Sequence, residues 1–251
     1  MQTVNNTAWP IFVISLKDAT ERRENITKQL NDCNLPFSIM DAIDGRKGLP
    51  APFEPMVDRD PSRSRISRGL TDGEFACALS HMAVYRHVVE NNLPGAIVLE
   101  DDAILTPLFG EFVARRGYCA GGLIQLVHMG GRVRRLERKR SVTKNVGLLQ
   151  AASNATCATG YSISRHGASY ILANALPVRG PADWPCDVTA ISAMLAVPRI
   201  VKHPEVTSFD SFLEADRLKL ADQTRRNKLF SRFLETAYWR RWWFKRMTRR
   251  I

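Results

Sequence analysis

Three adjacent carboxylates, Glu100, Asp101 and Asp102, end the apolar run in P-G-A-I-V-L-E-D-D-A-I-L, residues 94–105. Like charges this close repel, and each resists losing its water. A cation or a proton is needed to compensate them. Hard divalent ions such as Mg²⁺ and Mn²⁺ take one or two carboxylates together with substrate phosphates; a solvated turn is the simpler use of the same residues. A second acidic pair, Asp183 and Asp187, flanks W-P-C and suits either a general base or a helix cap. Ser80 and His81 are neighbours, and neighbours on a helix point about 100° apart, a poor setting for a nucleophile–base pair. His81 instead shares a helical face with Glu74, about two turns earlier. His203 is a metal-ligand type with no motif behind it.

The elements that must hold these groups alternate. I-F-V-I-S-L (11–16) reads as a strand, and Ile26 and Leu30 in the polar segment after it are at helical spacing. F-S-I-M-D-A-I-D-G (37–45) reads as a second strand closed by the turn pair Asp44-Gly45. Residues 46–69 are rich in Pro, Arg and Ser and show no period, as a long functional loop would. Thr71-Asp72-Gly73-Glu74 forms a capping box, and Phe75, Leu79, Met82, Tyr85 and Val89 form the buried stripe of a helix to about residue 91. Strands are predicted at 95–100, 121–129, 159–165 and within R-I-V-K-H-P, with helices at 166–176 and 185–196 and a basic loop at 131–145. Strand–helix alternation predicts an α/β fold with a largely parallel sheet and its chemistry at the carboxyl ends of strands.

Length and charge narrow the classes. A chain of 251 residues with 45% hydrophobic residues can bury one sizeable core, and no segment is apolar for the roughly 18 residues a membrane span needs. The first apolar run reads as a strand rather than a leader. Cys33, Cys77, Cys119, Cys157 and Cys186 are widely spaced and odd in number, which suits reduced thiols in the cytoplasm. The net charge of +11 belongs mostly to residues 225–251, where ten Lys/Arg meet one acid. The expected division is therefore a body, 1–224, and a basic amphipathic tail, 225–251, whose Leu229, Phe230, Phe233, Leu234, Ala237, Phe244, Met247 and Ile251 fall on one broad helical face. Such a tail suits the anionic inner face of a cytoplasmic membrane; packing on the body is the alternative.

F-V-I-S-L-K-D-A-T-E-R-R-E-N-I, D-A-I-D-G, L-T-D-G-E-F-A-C-A-L-S-H through L-E-D-D-A-I-L, A-T-G-Y-S-I-S-R-H-G-A-S-Y-I-L and P-A-D-W-P-C-D-V-T-A occur in one order. Over about residues 10–205 the chain thereby resembles glycosyltransferase family 25. The segment G-E-x-x-C-x-x-S-H running on to L-E-D-D is the most specific part. The resemblance implies a GT-A-like catalytic domain, a UDP-sugar donor, Mn²⁺ or Mg²⁺, inversion at the anomeric carbon, and a saccharide or lipid-linked saccharide acceptor. It makes Asp102 a metal ligand, and Asp101 or Glu100 a second ligand or a ribose contact. Ser15, Arg22, Asp44, Gly45, Glu74 and His81 fall among the substrate-binding positions. Asp183 or Asp187 would be the base, and the sequence does not separate them. Ser15 departs from the family's asparagine, keeping a hydrogen-bonding group of shorter reach. Two other classes share features with this reading. A nucleic-acid binder would explain the basic tail, but the body is nearly neutral and lacks recognition motifs; a nucleotide-sugar phosphohydrolase would want ligands for two metals.

Overall fold

A computed structural model describes residues 8–64, 66, 68–204 and 236–251. Its centre is an eight-stranded sheet. In chain order the strands are β1 (Ile11–Ser15), β2 (Ser38–Asp41), β3 (Gly95–Glu100), β4 (Ile104–Leu105), β5 (Leu123–Gln125), β6 (Arg132–Arg134), β7 (Arg140–Ser141), β8 (Gly147–Gln150), β9 (Gly160–Ser164), β10 (Ala193–Val197), β11 (Val201–Lys202) and β12 (Thr248–Arg250). The large sheet has the order β2-β1-β3-β9-β5-β10-β8-β7. Six of its strands point one way, and β9 and β8 run against them. The α/β class and the shared direction of most strands agree with the sequence.

Both faces of the sheet are covered, so β1 and β3 are continuous apolar runs rather than alternating ones. Helices α1 (Thr20–Asp32) and α3 (Leu108–Ala114) bury Ile26, Leu30, Phe109 and Phe112 against Ile11, Val13, Ile97 and Leu99. On the opposite face α2 (Asp72–Glu90) and α4 (Arg165–Ala175) pack Met82, Tyr85, Ala168 and Ile171 against Phe12, Ile14, Ala96 and Val98. Successive strand residues thus serve opposite layers, as the two-residue period requires. The predicted capping box is present in both directions.

Three expectations are corrected. The segment 185–196 is not a helix: Val188–Ile191 is one 3₁₀ turn, Ser192 turns left-handed (φ 55°), and β10 follows between β5 and β8. A short apolar run carries no period that separates a buried strand from a helix, and burial in mid-sheet overrode the helix preference of Ala193, Met194, Leu195 and Ala196. The basic segment 131–145 is not only loop, since it supplies β6 and β7. The helical face expected to reach Ile251 ends sooner: helix α5 (Thr236–Met247) passes into β12, which pairs antiparallel with β6. Leu229, Phe230, Phe233 and Leu234, and the boundary at 224/225, lie outside the described residues. Loop 46–69 folds over the first turns of α2, where Leu49 joins Phe75, Leu79 and Val178 in a small separate core.

Candidate active site

The carboxylates of residues 100–102 leave β3 at its carboxyl end, beside the ends of β1 and β9. Each has different neighbours. Glu100 is braced from both sides: Oε1 lies 3.1 Å from His81 Nε2, and Oε2 accepts from Thr159 Oγ1 at 2.9 Å. His81 Nδ1 lies 2.7 Å from the Tyr161 hydroxyl. An ionised carboxylate only accepts, so Nε2 carries the proton and the Tyr161 hydroxyl donates to Nδ1. One ring proton satisfies the line from Tyr161 through His81 to Glu100. Burial by itself would raise the Glu100 carboxyl, but the hydrogen bonds from His81 and Thr159 hold it below the usual carboxylate value.

Asp101 turns towards β1. Its Oδ2 accepts from Ser15 Oγ at 2.6 Å, and Oδ1 lies 3.7 Å from Arg22. Burial outweighs both contacts and raises its pKa. Asp102 is the least compensated. Burial and then the Glu100 charge push it to about 7 against the pull of His203, and its buried Oδ1 has no hydrogen-bond partner. The antiparallel pairing of β11 with β4 brings His203 here, opposite the residues that follow Asp102. His203 Nδ1 donates to the Pro204 carbonyl at 2.7 Å, and Nε2 lies 3.7 Å from Asp102 Oδ2. A carboxylate this poorly satisfied calls for a proton or a cation beside it. Asp102 and His203 offer a carboxylate oxygen and an imidazole nitrogen, a pair that suits Mn²⁺, while Asp101 is turned onto Ser15 and Arg22.

Asp183 and Asp187 separate clearly. Asp187 is exposed and caps the 3₁₀ turn, accepting from the Thr189 amide and hydroxyl at 3.0 and 2.8 Å. Asp183 is half-buried and accepts from the Cys157 amide at 2.9 Å. Cys157 in turn contacts Thr159, the residue that braces Glu100, so the segment 157–159 ties the two acidic groups together. Cys157 and Trp184 both hold positive φ, 85° and 66°. Such backbone is costly for non-glycine residues and persists where the surroundings enforce it. Trp184 is clamped edge-on against the Tyr161 ring, with centroids 5.1 Å apart.

Other residues singled out in the sequence have structural partners. Glu74 caps α2 and makes a two-pronged ion pair with Arg68, at 2.8 and 2.7 Å, which pins the end of loop 46–69. Asp44 is held down to about 2 by the Arg46 guanidinium, which also reaches Asp18. Gly45 lets the chain pass over the start of α2, where a Cβ would stand 2.5 Å from the Asp72 carbonyl oxygen. Ser80 spends its hydroxyl on Ala76 and on the Ile43 amide. Arg23, the neighbour of Arg22, binds Ser15, Leu16 and Asp41 and joins β1 to β2. Sequence reasoning had not singled out Thr159, Tyr161, Cys157, Trp184, Arg68 or Arg23, and had set His203 aside. The first two lie in A-T-G-Y-S-I-S, where the polar residues within an apolar strand are the available signal.

The chain matches the family described as "Glycosyltransferase family 25 (LPS biosynthesis protein)" over residues 8–117, which spans β1 to the end of α3 and includes every carboxylate of 100–102. A Haemophilus influenzae protein named "Putative glycosyltransferase" is 26% identical over 91% of the chain and 84% of its own length. The chain is a glycosyltransferase that is similar to family 25 over residues 8–117. The Haemophilus influenzae lipooligosaccharide biosynthesis protein lic2B is 33% identical over 41% of the chain and 37% of its own length. Human procollagen galactosyltransferase 2 is 28% identical over 64% of the chain but 27% of its own length. The family match falls on the β1–β3 half of the sheet; Asp183 and His203 lie beyond the matched residues 8–117.

Proposed function

We propose that this glycosyltransferase moves a hexose, galactose first among candidates, from a UDP-sugar to a saccharide of a cell-surface glycolipid, with Mn²⁺ or Mg²⁺ and with inversion. The observation that carries the reading is Asp102, half-buried, with one oxygen buried and unpartnered and the other 3.7 Å from His203 Nε2. Asp102 and His203 would hold the ion, with Asp101 the next carboxylate along the chain. When bound, such an ion stabilises the negative charge that grows on the departing diphosphate. The rest falls to the chain. Ser15 and Arg22, both on Asp101, form the nucleotide side. Glu100, braced by His81 and Thr159, keeps the strand end rigid. Asp183 takes the proton of the acceptor hydroxyl, and Asp187 caps the 3₁₀ turn that follows. A GT-A-like fold accords with nucleotide binding at the strand ends.

The names of the relatives support the substrate classes: one acts in lipooligosaccharide biosynthesis and another is a procollagen galactosyltransferase. The basic tail fits a cytoplasmic enzyme held at the anionic inner face of the membrane, where a lipid-linked acceptor is found. The test is thermal unfolding with UDP-galactose, UDP-glucose and GDP-mannose, with and without Mn²⁺. A ligand at a hundredfold its Kd adds about 2.7 kcal/mol, and the expected result is protection by a UDP-sugar that needs the ion. Donor cleavage that is indifferent to added saccharide acceptor would favour the phosphohydrolase, and protection by no nucleotide sugar would overturn the reading.

A further inference from the structure

The two most basic stretches of the described chain are a hundred residues apart in sequence and meet in space. β12 pairs residue for residue with β6: Thr248 with Arg134, Arg249 with Val133, Arg250 with Arg132. The Arg132 guanidinium binds the Thr248 hydroxyl and the Lys245 carbonyl oxygen and stacks over Phe244, 5.8 Å from its centroid. The Ile251 amide donates to the Gly131 carbonyl, and the Ile251 side chain packs on the main core. The end of the chain is therefore locked to the body. Residues 132–140 and 242–251 together hold ten Lys/Arg and one acid.

The same ribbon leaves large apolar side chains in water. Leu136, at the tip of the turn closed by the Glu137 amide on Arg134, is 93% exposed. The Arg135 amide donates to the Met247 carbonyl, which sets this tip against the helix end carrying Met247, 61% exposed, and Trp243, 56% exposed. Isolated apolar residues on a surface mean little, but several together within a strongly basic field mark an interaction face. Basic side chains reaching headgroups with Leu, Met and Trp entering the acyl boundary is the pattern of an interfacial contact. A nucleic acid would engage the charge and leave Leu136 and Met247 exposed.

We propose that the β6–β12 ribbon, its Leu136 turn and the end of α5 form one composite surface that binds anionic lipid headgroups, with Leu136, Trp243 and Met247 as its apolar inserts. The proposal rests on the membrane part of the proposed function and adds to it that the tail does not act alone: the 134–140 segment of the body contributes half of the contact. Flotation of the full chain with phosphatidylcholine vesicles, plain or enriched in phosphatidylglycerol, tests it. The wild-type chain should bind only the anionic vesicles, and less as salt rises. Neutralising Arg134, Arg138 and Arg140 together to Gln should weaken partitioning about 100-fold, near fivefold per charge, and Leu136→Gln about tenfold. These side chains are exposed, so unfolding midpoints should stay put. Unchanged binding of the triple variant, with loss in an Arg249→Gln/Arg250→Gln variant, overturns the composite surface and leaves a membrane-binding tail. Absence of wild-type binding to anionic vesicles overturns both. Tighter retention on duplex DNA than on the vesicles at equal salt replaces the lipid with nucleic acid.

Discussion

Two acidic groups lie on either side of the segment 157–159, and they are built by opposite means. Glu100, Asp101 and Asp102 end a regular strand buried on both faces, so their positions follow from the sheet and their difficulty is charge. Asp183 and Asp187 belong to an irregular stretch ordered by a positive-φ tryptophan, an amide on Cys157 and a capped 3₁₀ turn. Their difficulty is geometry. In the first group Asp101 and Asp102 are raised in pKa by burial and by the neighbouring Glu100 charge, as suits a site that takes a cation, while Glu100 is held low by His81 and Thr159. In the second, one carboxylate is spent on a cap and the other is held half-buried, as suits a base that needs a fixed direction.

The largest effect that can break this contrast is at Asp102. Asp102→Asn keeps the shape but removes the charge that holds the ion, and transfer should fall by at least about 10³-fold, the several kcal/mol a catalytic metal supplies. The same change should remove the Mn²⁺ dependence of the unfolding midpoint. A near-normal rate with unaltered Mn²⁺ dependence would take Asp102 out of the metal site.

The titration of Asp102 sharpens the point. Its folded pKa of about 7 stands above the unfolded value of 3.8, so the folded state binds the proton more tightly. Its contribution to stability is then complete below about pH 4 and is lost as pH rises through about 7. Glu100 and Asp101 push in this direction, and His203 and Arg22 oppose it. In metal-free protein the Asp102→Asn variant should lose part of the fall in unfolding midpoint between about pH 4 and pH 7 that the parent shows. Identical pH profiles for the two proteins would remove this titration from the account.

Asp183→Asn is expected to lower the rate by roughly 10²–10⁴, as loss of a general base does, with binding of UDP and Mn²⁺ unchanged. Asp187→Asn keeps a good cap and should stay within a few-fold of the parent. Steady-state kinetics on both variants checks this, and the reverse order of effects would exchange the two roles.

Smallest of all is Tyr161→Phe. It strips the donor from His81 Nδ1 without opening a cavity, leaving one buried acceptor unpaired at a cost of about 1–3 kcal/mol in stability. Calorimetry should register that loss while the donor KM moves little. A tenfold rise in donor KM would show that His81 binds substrate directly rather than bracing Glu100.

Much of the β1–β3 half was legible because its signals are local. The Thr71–Glu74 box, the helical stripe from Phe75 to Val89 and the apolar run ending at Glu100 each lie within a few turns of chain. The other half was not. Ala193–Val197 has a helix-like composition and became a central strand only because β5 and β8 bury it from both sides. The 131–145 segment looked like a loop until the last residues of the chain supplied a partner strand.

The sequence by itself determined that three carboxylates would sit together at a strand end, that α2 would begin at a capping box, and that the chain's charge would gather at its end. These follow from spacing, periodicity and composition. Only the tertiary structure decided what faces Asp102, which acid caps a 3₁₀ turn and which is half-buried, and what the basic tail touches. His81 meets Tyr161 across 80 residues, Asp183 meets Cys157 across 26, and Arg132 meets Thr248 across 116. Contacts of that range depend on strand pairings such as β11 with β4 and β12 with β6, in which two-residue and three-residue segments too short to carry a period of their own are fixed by the partner they find.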